Sequence, residues 1–189
     1  FGGILLPHSD SSKVREIESR SRAINNALTS EITQNNYDII NITNSPDLID
    51  VRPYSWNGWQ THILYTYLFS LTEDLPSQIS KKTRNTIKKA DKNGVNVYRR
   101  FDLEKYWTLT LDTYQKQNKK PPFSKSYLAR IIDMIISNNC GEMWFAESES
   151  GEIASAEIIV WDSKKAHRWF AASNYSLRDT GATSYLLFE

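Results

Sequence analysis

The residues with the clearest chemical potential form the run RDTGAT (178–183), between the last predicted strand and the last predicted helix. Gly181 permits a sharp backbone turn, and Ala182 and Thr183 follow at a helix start, where free N–H groups can cradle a diphosphate. The helix dipole stabilises an anion there by roughly 0.3 to 1 kcal/mol, and Arg178 adds a full positive charge. The run therefore predicts an anion-binding turn, although the same pattern also fits an ordinary loop before a helix.

A second charged feature is the stretch from Lys81 to Arg100, which holds eight basic residues and one acid, Asp91. Its net charge is +7, whereas the whole chain carries +1. Pro76 suits the first turn of a helix and Gly94 suits its end, so the sequence predicts one amphipathic basic helix between them. The basic face is either an ordinary solvated surface or a contact for phosphate, a nucleotide or RNA. The basic residues considered for such contact are Lys81, Arg84 and Lys88.

The candidate proton acceptors are Glu157 and His167, because strand alternation can turn either side chain toward a cleft. Each also fits an ordinary surface position or a hydrogen-bonded structural role. The chain has three histidines and a single cysteine, Cys140, without the spacing of a metal site, so no metal is predicted. It also lacks a nucleophile elbow and a Walker loop.

The composition is that of a folded globular protein, with 189 residues, 40% hydrophobic and 12% aromatic, and only seven glycines. A single cysteine cannot form an internal disulfide and favours a reducing compartment. No apolar run approaches the roughly 18 residues of a membrane span and no signal peptide opens the chain, so the sequence predicts a cytoplasmic protein. The start FGGILLP and the unfinished apolar helical pattern at SYLLFE suggest a fragment of a longer protein.

In the first part of the chain, hydrophobic periodicity predicts one long helix and three strands. The helix runs from about Lys13 to Thr33, with apolar residues at steps of three and four. The strands are Tyr37 to Thr43, Thr61 to Leu71 and Phe1 to Pro7, the last being either a short buried strand or a tight entry into one. Two tryptophans and a tyrosine between Asp50 and Trp59 lie in a loop, where they either pack on the core or stack on a base or sugar.

In the second part of the chain, the sequence predicts a strand, two helices, three strands, a glycine turn and a final helix, in that order. The strand is Asn96 to Phe101, Asp102 caps a helix with an aromatic core stripe, and Ser124 caps the next helix. The three later strands, joined by turns suited to antiparallel hairpins, are Glu142 to Glu147, Glu152 to Trp161 and Ala166 to Ser173. The fold class is therefore α/β of the α+β kind, with a mixed, largely antiparallel sheet flanked by helices rather than a doubly wound parallel sheet.

This order, ending in RDTGAT, resembles the first two thirds of a GNAT-type acyl-CoA N-acyltransferase domain. That family's phosphate loop is written Q/R-x-x-G-x-G/A, which Arg178 and Gly181 match and from which Thr183 departs. The segment ISKKTRNTIKKADKNGVNV (79–97) is similar to the K-x-R-x-x-I-x-K-A-x-K-x-G-V segment of the FemAB or FemX-like family, the peptidoglycan-bridge aminoacyltransferases. Three further segments fit that family's second lobe in order, namely TYQKQNKKPPFSKSYLARI, GEIASAEIIVW and ASNYSLRDTGATSYLLFE.

The resemblance implies parts of two tandem GNAT-like lobes. FGGILLP and DVRPYSWNGWQTHILYTYLFSL resemble the latter part of the first lobe, which would cover residues 1–75. Residues 76–189 would be the first part of the second lobe. A fragment of this extent would be inactive by itself.

For the donor, the resemblance implies that Arg178 and Gly181, with Ala182 and Thr183 beside them, contact the diphosphate of acetyl-CoA or another acyl-CoA. The strand Ala166 to Ser173 would lie along the pantetheine arm or the acceptor. Lys81, Arg84 and Lys88 would lie on the family's basic helix, which serves tRNA, an acidic precursor or only the structure.

For the acceptor, the resemblance points to Tyr127 and, on the strand beside the donor, Trp169. Relatives with a nucleotide-linked peptide substrate often have an arginine four residues before this tyrosine, whereas the present chain has Phe123. That departure argues against the same substrate.

The resulting prediction is an N-acyltransferase or aminoacyltransferase that moves a group from a CoA thioester or aminoacyl-tRNA to an amine of a cell-envelope or polysaccharide precursor. Two alternatives stay open, a catalytically silent ligand-binding module with the same fold and a nucleic-acid-binding module that uses the basic helix. The sequence is compatible with a homo-oligomer and does not separate the two donors.

Overall fold

The computed structural model describes residues 11–35, 37–46, 48, 50–71 and 74–189, and the chain divides into two units between Phe69 and Ser70. The predicted strand Phe1 to Pro7 lies outside the described residues. The division falls six residues before the predicted lobe boundary at residue 76. The assignment of the units to two GNAT-like lobes stays a prediction.

The first unit contains a long helix α1, Val14–Thr33, and a short helix α2, Arg52–Trp56. Tyr54 is the buried aromatic residue of the predicted loop, and its hydroxyl donates to Asn25 Oδ1 at 3.0 Å. Trp59 packs edge-on against Tyr54, with 6.3 Å between ring centroids. Tyr54 and Trp59 therefore serve packing, one of the two roles that the sequence left open, whereas Trp56 is 60% exposed. The predicted loop is wrong over Arg52–Trp56, which form α2.

Two strands predicted in the first unit are wrong. The described residues of 37–43 and all of 61–71 have no regular secondary structure, and every side chain of 61–71 is exposed. Their alternating, β-branched composition suits a strand, but a strand also needs a neighbour for its N–H and C=O groups. In the part of the chain that the structure describes, the sheet lies entirely within the second unit.

The second unit contains a four-stranded antiparallel sheet in sequential order, which confirms the predicted fold class. Its strands are β1 Asn96–Arg99, β2 Gly141–Glu147, β3 Ile153–Trp161 and β4 Ala166–Ser173. Phe145 is in register with Tyr98 on one side and with Ala156 on the other. Among the described strands, β1 and β4 form the two edges.

One face of the sheet packs against two helices. Helix α5, Leu103–Gln115, begins at Asp102, whose side chain accepts from Lys105 N at 3.0 Å. Helix α6, Lys125–Asn138, begins at Ser124, whose side chain accepts from Tyr127 N at 3.1 Å, so both predicted caps are confirmed. The buried residues shared by this face are Tyr106, Leu109, Leu128, Ile132, Ile135, Met143, Phe145, Ala156, Ile158 and Ala172.

The opposite face packs against helix α4, Lys81–Lys92, and helix α7, Ala182–Phe188. The predicted single basic helix is wrong at its start, because a separate short helix α3, Leu75–Gln78, precedes α4. Ile79 is extended between them, and the Ser80 side chain accepts from Thr83 N at 3.1 Å, so a local cap competes with helix continuation. The buried residues shared by this face are Ala90, Val95, Ala146, Ala154, Ala182 and Leu186.

Among the described helices, none combines the length and the hydropathy of a membrane span.

Candidate functional site

The predicted anion-binding turn directly follows the edge strand β4. Asn174 Oδ1 accepts from Ser176 N at 3.0 Å and starts a 3₁₀ segment, Tyr175–Thr180. Gly181 then adopts φ +81°, a left-handed conformation that suits glycine, and α7 begins. Ala182 N already donates to Thr180 Oγ1 at 3.2 Å, so that N–H group of the turn has an internal partner.

Arg178 is exposed at this turn. Its guanidinium lies 4.4 Å from the centre of the Tyr175 ring, and its Nε is 3.7 Å from an Asp179 carboxylate oxygen. The side chain of Arg178 keeps 59% of its surface exposed. An aromatic ring therefore holds the cation at the surface, where an anionic ligand can reach it.

The turn packs directly on the basic helix α4. A Cβ atom at Gly181 would lie 2.8 Å from the Thr86 carbonyl oxygen and 2.9 Å from Thr86 Cγ2. Lys89 Nζ donates to the Asp179 carbonyl oxygen at 3.0 Å. The structure thus brings together the two charged features that the sequence presented as separate.

The basic residues of α4 have different surroundings. Arg84 Nη1 donates to the Pro76 carbonyl at 3.0 Å and to the Ile79 carbonyl at 2.7 Å, so Arg84 joins α3 to α4. Lys88 is exposed. Lys81 instead lines a shallow groove of about 470 Å³ beside the turn. The residues that line this groove are Lys81, Lys82, Asn85, Thr86 and Lys89.

The two predicted acceptor residues, Tyr127 and Trp169, come together in an open cleft of about 570 Å³. Phe123 lies between them, with ring centroids 6.0 Å from Tyr127 and 6.1 Å from Trp169. Arg130 contributes a positive charge to the same cleft. The full lining is Pro122, Phe123, Ser124, Tyr127, Arg130, Trp169 and Phe170.

Local sequence explains both walls of this cleft. Ile158 is in register with Phe170 and Ile159 with Arg168, so Trp169 is an extra residue, a β-bulge in the edge strand. Bulges redirect side chains, and this one lies against the aromatic cleft. Phe123 immediately precedes the cap of α6, a position where an apolar residue often packs against its own helix. That position was the signal that could have placed Phe123 in the site.

Glu157 is buried in the middle of the sheet, with only 1% of its surface exposed. Arg168 donates to both its oxygens, from Nε to Oε2 at 2.8 Å and from Nη2 to Oε1 at 2.5 Å. Burial raises the pKa of Glu157 above its usual range, and the Arg168 guanidinium opposes part of that rise. Sequence reasoning did not find Arg168, because its pairing with Glu157 depends on the register of two strands.

Glu157 lies on the face of the sheet opposite the aromatic cleft, and His167 lies far along β4 from the turn. Glu157 is in register with Trp144, which packs on the core of α4 and α7, whereas the cleft lies on the side of α6. His167 is in register with Val160 near the β3–β4 turn. Six residues of strand, about 20 Å, separate His167 from the end of β4 at Ser173.

Within the described ranges, no group of three or more His, Cys, Asp or Glu side chains is arranged to hold a metal ion.

A family model described as an acetyltransferase (GNAT) domain matches residues 77–189, more than half of the chain. A search of curated proteins finds no match. Among solved structures, the fold is similar to one titled the crystal structure of FemX, with a TM-score of 0.53 and 13% sequence identity over 61% of this chain. The match covers 45% of the FemX chain, so the present chain spans less than half of that protein's length. On the family match, the chain belongs to the acetyltransferase (GNAT) domain family, and its fold resembles that of FemX.

Proposed function

We propose that this protein is a FemAB-like N-acyltransferase that moves an acyl or aminoacyl group to an amine of a cell-envelope or polysaccharide precursor. The observation that carries the proposal is the Arg178–Gly181 turn at the end of β4, inside the region that matches the family. Acyl-CoA and aminoacyl-tRNA are the two donor classes, and both are found in the cytoplasm, where we place the protein.

The donor would lie along β4 and the turn. Among the described strands β4 is an edge, and an edge strand offers N–H and C=O groups to an extended ligand such as a pantetheine arm. At the end of this path, Arg178 and the left-handed Gly181 turn would receive the diphosphate. Thr183, which departs from the family pattern, lies in the first turn of α7.

The acceptor would occupy the aromatic cleft. Tyr127 is 42% exposed and Trp169 is partly buried, so each can present a ring to a ligand. Aromatic rings take flat or apolar faces such as those of sugars, and Arg130 would attract an acidic group. Phe123 gives the cleft a ring where some relatives have a cation, which favours a less anionic acceptor than a nucleotide-linked one.

The reaction requires mainly alignment of an amine with a thioester or ester carbonyl, together with hydrogen-bond donors toward the developing oxyanion. Glu157 has the raised pKa that suits a general base, but both of its oxygens accept from Arg168. We therefore propose that Glu157 takes a proton only if Arg168 releases one oxygen. Otherwise it positions Arg168, and His167 stays the alternative base.

Calorimetric titration of the full-length protein with acetyl-CoA tests the proposal. We expect binding that weakens tenfold or more in Arg178→Ala, about 1.4 kcal/mol, and is unchanged in Arg100→Ala, an exposed arginine beyond β1 at the opposite edge of the sheet. Equal weakening in both variants would contradict the role of the turn. Absence of binding in the unaltered protein would remove acyl-CoA as donor and leave aminoacyl-tRNA.

Two alternatives make different predictions. A silent module would bind the donor without turnover by the full-length protein. A nucleic-acid-binding module is favoured by the +7 charge between Lys81 and Arg100, and would bind RNA with an affinity that falls by about 0.7 to 0.9 log units per phosphate contact for each log unit of salt. A silent module would use the same turn and aromatic cleft, so turnover is the measurement that separates it from the transferase.

A further inference from the structure

The groove along α4 lies next to the turn, and nothing in the proposed chemistry so far uses it. We propose that Lys81, Lys82 and Lys89 bind a phosphate group at the adenosine end of the donor, beside the diphosphate at the turn. This inference rests on the proposed transferase function. Coenzyme A carries a 3′-phosphate on its adenosine, at the end far from the thioester. An aminoacyl-tRNA carries its ester on the terminal adenosine and would instead offer the backbone phosphates that precede it.

The lysines of the groove are not paired with a carboxylate in the part of the chain that the structure describes. Within the described residues, Lys81 and Lys82 form no ion pair, and both are exposed. Asp91 is the single acid of α4 and does not line the groove. Lys89 gives one hydrogen bond to the Asp179 carbonyl, which leaves two of its three donors for a ligand. Three like charges held together favour an anion between them.

The geometry joins the groove to the turn. Lys89 contacts the turn through Asp179, and Lys81 lies eight residues earlier on the same helix, about 12 Å away along its axis. A ligand bound at the turn therefore lies next to the groove at its Lys89 end. Asn85 adds an uncharged side chain that can hydrogen-bond to a phosphate or a sugar hydroxyl.

One charge opposes this arrangement. The Asp179 carboxylate is 93% exposed at the turn and lies 3.7 Å from Arg178. The Asp179 carboxylate lies near Arg178, whereas Lys89 contacts only the Asp179 backbone carbonyl. The carboxylate therefore repels an anion at the diphosphate position more than an anion in the groove. The net charge of the groove stays positive.

The test compares coenzyme A with dephospho-coenzyme A, which lacks only the 3′-phosphate, by titration of the full-length protein. The double variant Lys81→Gln and Lys82→Gln should bind coenzyme A at least tenfold more weakly, and dephospho-coenzyme A nearly as well as the unaltered protein does. The matched control is Lys119→Gln with Lys120→Gln, which removes the same charge from an adjacent, exposed lysine pair outside the groove. The control should bind both coenzymes normally.

Equal losses in the two double variants, or a loss that persists with dephospho-coenzyme A, would overturn the inference while leaving the proposed function intact. If the unaltered protein binds no coenzyme, the same variants are compared for binding of aminoacyl-tRNA at fixed salt. A loss confined to the groove variant supports the inference for that donor, and equal losses overturn it. Absence of binding to both donors overturns the inference together with the proposed function.

Discussion

Gly181 and Thr86 approach so closely that a Cβ atom at position 181 would lie 2.8 Å from the Thr86 carbonyl oxygen. That distance is shorter than ordinary van der Waals contact, and the neighbour is backbone, which cannot rotate away. The turn after β4 and the middle of α4 are therefore fixed against each other. A predicted donor site depends on this contact although neither residue needs to touch the donor.

We expect Gly181→Ala to lower the free energy of unfolding more than Gly151→Ala. Both glycines have a left-handed backbone, φ +81° and φ +84°, so each alanine costs about 1 to 2 kcal/mol in conformation. A Cβ at Gly151 meets no atom within 4 Å, whereas at Gly181 overpacking adds about 1 to 3 kcal/mol. Chemical denaturation of the two variants measures the difference. Equal destabilisation would show that the turn can move away from α4.

Arg84 and Lys88 lie one helical turn apart and should behave differently. Removal of Arg84, by Arg84→Ala, takes away hydrogen bonds to the Pro76 and Ile79 carbonyls and should cost about 1 kcal/mol of stability. Lys88 is exposed, so Lys88→Ala should change the free energy of unfolding by less than about 0.5 kcal/mol. Urea unfolding gives both values, and a similar, small change in each would mean that Arg84 does not hold α3 to α4.

Burial of Glu157 makes stability depend on pH with a defined sign. Because the pKa of Glu157 is raised above 4.5, the folded state binds this proton more tightly than the unfolded chain does. The stabilisation is complete below pH 4.5 and is lost as pH rises through the folded pKa. Relative to Glu157→Gln, the unaltered protein should therefore lose stability as pH rises above 4.5, as measured by urea unfolding. The opposite trend would show that the Arg168 pair outweighs burial.

Tyr127 should affect ligand affinity without affecting the fold. Its ring is 42% exposed in the aromatic cleft, so Tyr127→Ala should leave unfolding nearly unchanged. Loss of one stacking ring should weaken binding of amino-sugar oligosaccharides, used as acceptor probes, by about tenfold in a titration, without weakening binding of coenzyme A. Met134→Ala is the control, since Met134 is exposed on the same helix and does not line the cleft.

If Met134→Ala weakens binding as much as Tyr127→Ala does, the cleft is not the acceptor site. Weakened binding of coenzyme A in Tyr127→Ala would instead place the donor in the cleft.

Local signals in the sequence predicted the parts of this fold that local interactions determine. The sequence predicts the helix caps Asp102 and Ser124 and the aromatic stripe around Tyr106, because each depends only on residues within a few positions. The segment 61–71 has the composition of a strand and was wrongly predicted as one, because strand formation depends on a distant neighbour.

The candidate site shows the same limit. The turn at Gly181 was visible as a motif, and the structure gives the conformation that the motif requires. The pairing of Glu157 with Arg168 and the meeting of Phe123 with Trp169 depend on register and on a bulge. A single sequence does not indicate the register of two strands or the position of a bulge, so the partners of these residues could not be predicted.

The position of α4 and Val95 has a consequence for how the second unit can be exchanged or trimmed. Ala90 and Val95 precede β1 in sequence, yet they pack in one cluster with Ala146 and Ala154 of the sheet and Ala182 of α7. A recombinant piece that begins at the first strand would leave this apolar surface open to water and prone to association. The unit that can be moved between proteins therefore starts before its first strand, and the Gly181 turn cannot be grafted without the helix that supports it.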